Sequence, residues 1–123
     1  MAFASIRIIT DHLDPMVDFY ELVMEQAAQR PAPVYAQFAG PGGTLAIASR
    51  STVQMLGGEL LPAENRSIVI EFEVPDVDAE FERLRPGLDD IVLPPTIMPW
   101  GNRSTLFRDP DGNLVNLFSR PAA

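Results

Sequence analysis

The sequence predicts an α+β domain made of two paired βαβββ modules, with curved mixed β-sheets whose helices lie outside and whose other faces enclose a concavity. Three observations lead there. The order strand, helix, then strands closing in a hairpin occurs twice along the chain. The two hairpins echo each other: Phe38-Ala39-Gly40-Pro41-Gly42-Gly43-Thr44-Leu45 overlies Phe107-Arg108-Asp109-Pro110-Asp111-Gly112-Asn113-Leu114 at an offset of 69, matching Phe, Pro, Gly and Leu in register. Such self-similarity marks a duplicated unit that buries its apolar faces against its copy. Finally, 123 residues with 46% apolar content suffice for the core of a single domain spanning residues 1–123. Module one covers about 1–55, a connection about 56–66 and module two about 67–123.

Each element has a local reason. Ser5 to Thr10 is a β-branched run and the first strand, with Ile6 and Ile8 on one face and Arg7 on the other. Asp14-Pro15 supplies an N-cap acceptor and a residue suited to the first helical position. Met16, Phe19, Tyr20, Val23 and Ala27 then repeat at helical spacing to about Gln26. Gln29 to Pro33 reads as a linker, and Val34 to Ala39 with Thr44 to Ser49 as the first hairpin. The stretch 51–66, broken by Gly57-Gly58, Pro62 and Asn65, joins the halves.

Ser67 to Val74 alternates, with Ile68, Ile70, Phe72 and Val74 on the face expected to meet a helix. Val69, Glu71 and Glu73 fall on the other face. Asp76-Val77-Asp78 opens the second helix, Val77, Phe81 and Leu84 are its buried positions, and Pro86-Gly87 ends it. Pro94-Pro95 confines the strand Ile91 to Met98 to an edge or a bulge. In the closing hairpin, Ser104 to Phe107 and Leu114 to Phe118 flank Asp109-Pro110-Asp111-Gly112-Asn113, where nearly every position is a turn former.

Composition narrows the function. A net charge of −8 repels nucleic acid and anionic membranes. No apolar run approaches the ~20 residues that span a bilayer, and residues 1–7 lack a signal-peptide pattern. Cysteine is absent, which removes disulfides and thiolate chemistry and fits a reducing compartment, so a cytoplasmic location is expected. The one histidine, His12, lies beside Asp11 in a loop and reads as a solvated residue, because one imidazole cannot build a metal or catalytic site. Gly40-Pro41-Gly42-Gly43 lies in a hairpin rather than before a helix, so it is no phosphate loop.

The paired βαβββ pattern, Phe19-Tyr20-Glu21 on the first helix, and Arg108-Asp109-Pro110-Asp111-Gly112-Asn113 following Trp100-Gly101 resemble the vicinal oxygen chelate superfamily. That superfamily includes glyoxalase I, extradiol dioxygenases, fosfomycin-resistance enzymes and bleomycin-resistance proteins. The resemblance implies a divalent-metal site built from strands one, four, five and eight by His, Gln or Glu. Carried over residue by residue, those positions fall on Ser5 (or Ala4 one residue earlier), Ile47, Val69 and Asn116. None is a His or a carboxylate, so neither metal nor other cofactor is expected.

The resemblance also sets the first strands of the two halves side by side, which allows Arg7 and Glu71 to pair on the cavity floor. Such a pair either closes the cavity or grips a substrate. Around it Trp100, Tyr35, Phe38, Met98, Asn116 and Phe118 are expected to line an apolar pocket. The expected function is that of a metal-free, homodimeric small-molecule binder resembling the bleomycin-resistance proteins, which sequesters a flat or amphipathic ligand in a dimeric cavity. Two alternatives stand beside it. One is a metal-independent isomerase- or lyase-type enzyme with Glu71 or Glu73 as general base and Arg7 stabilising an oxyanion; the other is a divergent metal-dependent glyoxalase or dioxygenase.

Overall fold

The computed structural model describes residues 1–56, 61–63 and 65–121; Gly57-Gly58, expected to break the connection, lie outside them. The chain forms two compact units, Met1–Ala63 and Glu64–Ala123. The first contains β1 (Ser5–Thr10), α1 (Leu13–Met24), β2 (Gln29–Ala32), β3 (Tyr35–Gly40) and β4 (Gly43–Ser49), followed by a 3-10 segment, Arg50–Leu56. The second contains β5 (Val69–Glu73), α2 (Val77–Leu84), a 3-10 turn (Arg85–Gly87), β6 (Ile91–Ile97), β7 (Arg103–Arg108) and β8 (Leu114–Ser119). Each is a βαβββ module with a four-stranded mixed sheet, in the orders β1-β4-β3-β2 and β5-β8-β7-β6. The parallel pairs are β1 with β4 and β5 with β8.

In the first sheet the register places Ile8, Ile47, Ala36 and Phe38 on one face. All are buried, as are Met16, Val17, Tyr20 and Val23 of α1. Arg30 of β2 reaches Asp14 in the first turn of α1 at 3.1 Å, which marks this as the helix side. In the second sheet Phe107, Val115 and Leu117 hold the equivalent face, above Val77 and Leu84 of α2. Arg103 on that face pairs with Asp78 of α2 at 2.7 Å.

Three local expectations are corrected. Asp14 is not the N-cap of α1, which begins at Leu13 without a side-chain cap; His12 holds the cap position, and its backbone N–H donates to the buried Thr10 hydroxyl at 2.8 Å. Pro15 still falls within the first turn, where its missing N–H breaks no helical bond. The helix ends at Met24 rather than near Gln26, because Glu25 turns left-handed (φ 50°) and the Glu21 carboxylate captures the N–H of Ala28. Gln29–Ala32, read as linker, is an edge strand on β3, where Pro31 is tolerated. The second helix starts as expected, with the Asp76 side chain accepting from Ala79 N–H at 3.1 Å. Pro94-Pro95 lie in edge strand β6, whose pairing with β7 shifts register twice.

Candidate functional site

The faces turned away from the helices hold the candidate residues, and each sheet has its own set. On the first, β1 contributes Ser5, Arg7 and Ile9, β4 contributes Thr44, Ala46 and Ala48, and β3 contributes Tyr35 and Gln37. Arg7 lies opposite Ala46, and Tyr35 opposite Ala48, with β4 between them. Two strand spacings separate their backbones by about 10 Å, which the long Arg side chain can bridge because only alanine methyls stand in its way. The Arg7 guanidinium sits 5.3 Å from the centre of the Tyr35 ring, a cation–aromatic contact. Beside it the Gln37 carboxamide donates to Gln29 at 3.0 Å.

Phe38, expected in the pocket, is on the other face. It is 1% exposed, with Ile47 and Ile8 beneath α1. Alternation along β3 puts positions 35 and 37 on the site face and 36 and 38 on the helix side. Ile47 is also on the helix side, and the reason lies in the hairpins. Six residues separate Phe38 from its partner Leu45, but seven separate Phe107 from its partner Val115. That extra residue inverts the parity of the echo beyond the turn, so the β4 counterpart of Asn116 is Ala46.

On the second sheet the register gathers Val69, Glu71 and Glu73 with Leu114, Asn116 and Phe118, and Leu106 beside Asn116. The Asn116 carboxamide donates to Glu71 Oε2 at 2.9 Å. Asn116 Oδ1 is buried without a hydrogen-bond partner among the described residues, a state that costs about 1–3 kcal/mol. Glu73 accepts from Arg120 at 3.2 Å, and Arg120 also lies 5.6 Å from the centre of the Phe118 ring.

Within its own sheet each of the two side chains expected to pair has a partner, the Tyr35 ring for Arg7 and the Asn116 carboxamide for Glu71. Trp100 is 70% exposed, at the tip of the β6–β7 turn. The turn is fixed by Met98 N–H donating to Asn102 O (2.7 Å), by Gly101 N–H donating to Met98 O (2.9 Å) and by the positive φ of Gly101. Met98 therefore belongs with Trp100 rather than with either strand cluster.

Gln37, Arg120 and the Ala46–Ala48 floor were not anticipated. Period-two alternation from Tyr35 and Phe118 identifies the first two, whereas the floor follows only from strand pairing. A cleft of about 370 Å³ opens beside the second sheet's site face, lined by Asn65, Arg66, Ile68, Val69, Arg108 and Leu114. Val69 and Leu114 belong to that face, and none of the expected ligand contacts lines the cleft.

The Asp109–Asn113 turn is architectural. The Asp109 carboxylate accepts from the backbone N–H groups of Asp111 and Asn113 (both 2.9 Å) and from the Asn113 amide (2.8 Å). Asn65 donates to the other end of that amide at 2.7 Å.

The residues at the family's metal positions do not suit a divalent catalytic metal. Ser5 and Asn116 offer neutral oxygens, Val69 offers none, and neither Ile47 nor its geometric replacement Ala46 is a donor. Among the described residues, no group of three or more His, Cys, Asp or Glu is placed to hold a metal ion. No helix among them is long and apolar enough to cross a membrane.

The Glyoxalase/Bleomycin resistance protein/Dioxygenase superfamily model matches residues 2–117. The chain is 28% identical over 125 residues to the uncharacterized protein YraH of Bacillus subtilis, covering 96% of this chain and 98% of that one. Two similar solved structures come from the same broad group. A glyoxalase/bleomycin resistance protein/dioxygenase from Nocardioides matches at 23% identity with a TM-score of 0.80, over 100% of this chain and 85% of that one. A family enzyme from Burkholderia phytofirmans PsJN matches at 13% identity with a TM-score of 0.85, over 96% and 98%. At these identities the two structures speak to fold alone.

Proposed function

Because the chain belongs to the glyoxalase/bleomycin resistance protein/dioxygenase superfamily, we propose that it is a metal-independent binder of a flat or amphipathic small molecule, acting as a homodimer in the cytoplasm. The observation that carries this reading is the polarity of the second sheet's site face. Two polar pairs, Glu71 with Asn116 and Glu73 with Arg120, stand among Val69, Leu106, Leu114 and Phe118. A few placed polar groups on an apolar surface are what recognition of an amphipathic molecule requires. Arg7, Tyr35, Trp100 and Met98 are further proposed contacts. The Asn116 carboxamide serves a ligand by rotating its closed-off Oδ1 toward a ligand N–H or O–H.

Native mass spectrometry of freshly purified protein tests the reading. The expected result is a dimer that releases an organic ligand and carries no stoichiometric divalent metal. Near one divalent metal per chain, or a monomer at micromolar concentration, contradicts it. Because Trp100 is the only tryptophan, quenching by an added ligand reports on that side chain alone.

One observation favours an enzymatic reading. Glu71 has no cationic partner among the described residues, whereas Glu73 is held by Arg120. An unneutralised carboxylate oriented by an amide suits a general base of the isomerase or lyase type. Turnover that vanishes in Glu71→Gln distinguishes enzyme from binder.

A further inference from the structure

The chain contains no lysine and nine arginines. Among the described residues, Arg30, Arg50, Arg83, Arg85, Arg103, Arg108 and Arg120 each face a carboxylate, and Arg66 is not free either. Arg7 differs. Its recorded contact is the ring of Tyr35, which takes none of the guanidinium's five N–H donors. The sheet under it is equally unusual for a chain with 17 acidic residues, because β1, β2, β3 and β4 contain no Asp or Glu at all.

An always-ionised guanidinium, positioned by an aromatic ring over an alanine floor and free of any carboxylate on its own sheet, is arranged to receive an anion. Arginine's planar fork matches a carboxylate with two parallel hydrogen bonds. The partly exposed Tyr35 ring beside it suits a flat apolar body, while Ala46 and Ala48 are fully buried beneath and leave the guanidinium its path.

We infer that the face of β1, β4 and β3 turned away from α1 is a subsite for the carboxylate of a flat organic acid, with Arg7 as its anchor and Tyr35 as the residue that positions it. This deepens, and rests on, the reading of the chain as a small-molecule binder by giving the ligand a charge. The carboxylate makes two charge-assisted bonds to Arg7, while the attached ring system lies against Tyr35.

The test uses the full-length protein and two probes of nearly equal shape, 2-naphthoate and the neutral 2-naphthamide. Binding is read from the arginine Nε–Hε resonances, with that of Arg7 assigned by its loss in Arg7→Lys. The expected result is a saturable shift of the Arg7 resonance by 2-naphthoate, at an affinity about tenfold above that for the amide. Arg7→Met should remove the preference, Arg7→Lys should restore part of it, and Tyr35→Leu should weaken naphthoate several-fold.

An Arg7 resonance that answers to neither probe, or to both equally, overturns the inference, as does a preference that survives Arg7→Met. Failure here is separable from failure of the broader reading. Equal binding of both probes, seen by Trp100 quenching, keeps the small-molecule reading and removes the anion subsite. An Arg7-dependent preference in a protein that releases no ligand under native conditions keeps the subsite and removes the proposed resident ligand.

Discussion

On the first sheet the face away from the helix carries Arg7 over Tyr35 and no carboxylate, whereas the matching face of the second carries Glu71 bonded to Asn116 and Glu73 bonded to Arg120. Register makes Arg7 and Glu71 counterparts, facing Ala46 and Asn116 on the neighbouring parallel strands. The helix-side faces show no such divergence, with Ile8, Phe38 and Ile47 in one and Phe107, Val115 and Leu117 in the other, each at most 5% exposed. The difference teaches where a duplicated module is free to change. A buried face tolerates apolar side chains of fitting volume and polar ones only where they are hydrogen-bonded, as Thr10 and Thr105 are, because a cavity or an unpaired charge there costs several kcal/mol. A face not sealed by its helix can exchange a cation for an anion at little cost to stability.

The most severe way to break this comparison is to hollow both buried faces. Phe38→Ala and Phe107→Ala should each destabilise the protein by about 3–5 kcal/mol in urea unfolding. Should Phe38→Ala alter ligand affinity while leaving stability intact, the assignment of Phe38 to the helix side is wrong.

Next come the two hairpin turns, in which Asp109 and Gly40 hold matching positions. Asp109→Ala strips three hydrogen bonds from a buried carboxylate and should cost about 3 kcal/mol. Gly40→Ala should change stability by less than about 1 kcal/mol, because an added Cβ would find its nearest neighbour, Gly43 O, at 3.6 Å. Similar losses for the two variants would mean that the second turn does not depend on its carboxylate hub.

Smaller still is Glu71→Gln, on an exposed side chain. Stability should shift by no more than about 0.5 kcal/mol, with any effect appearing in ligand affinity or turnover. A loss of several kcal/mol would show that Glu71 belongs to the architecture rather than to the site.

The smallest effect compares one surface ion pair from each unit. Hydrogen bonds from Arg50 and Arg103 hold the carboxyls of Asp11 and Asp78 below their ordinary value of 3.8. Because the folded value lies below the unfolded one, each pair's contribution is complete above 3.8 and is lost as pH falls through the lowered folded value. Asp11→Asn and Asp78→Asn should therefore separate slightly from the parent in urea midpoint near neutral pH and converge with it in acid. A gap that widens on acidification contradicts this sign.

Much of this was legible in the residues. Strand β1 came out with its observed ends, Asp76 as the cap of α2, and β6 as a proline-bearing edge, because alternation, capping and a missing N–H act within a few residues. The Asp109–Asn113 turn was legible as a turn but not as a network, since its Asn65 partner lies 48 positions away. The start of α1 was misread because the helix begins at Leu13 with no side-chain cap at all, and β2 was missed because an edge strand with one neighbour needs little β-forming sequence.

The sequence by itself determined the α+β class, the twofold βαβββ order, the turn chemistry and the family, since these rest on periodicity and on local backbone preferences. Only the tertiary structure decided which side chains meet at the site. A one-residue difference between two hairpin loops sent Ile47 beneath a helix and brought Ala46 opposite Arg7, and those methyls gave the guanidinium its path to Tyr35. A period-two element exchanges its faces with every single-residue shift, so a repeat found in the letters predicts the strands but not the directions in which they point.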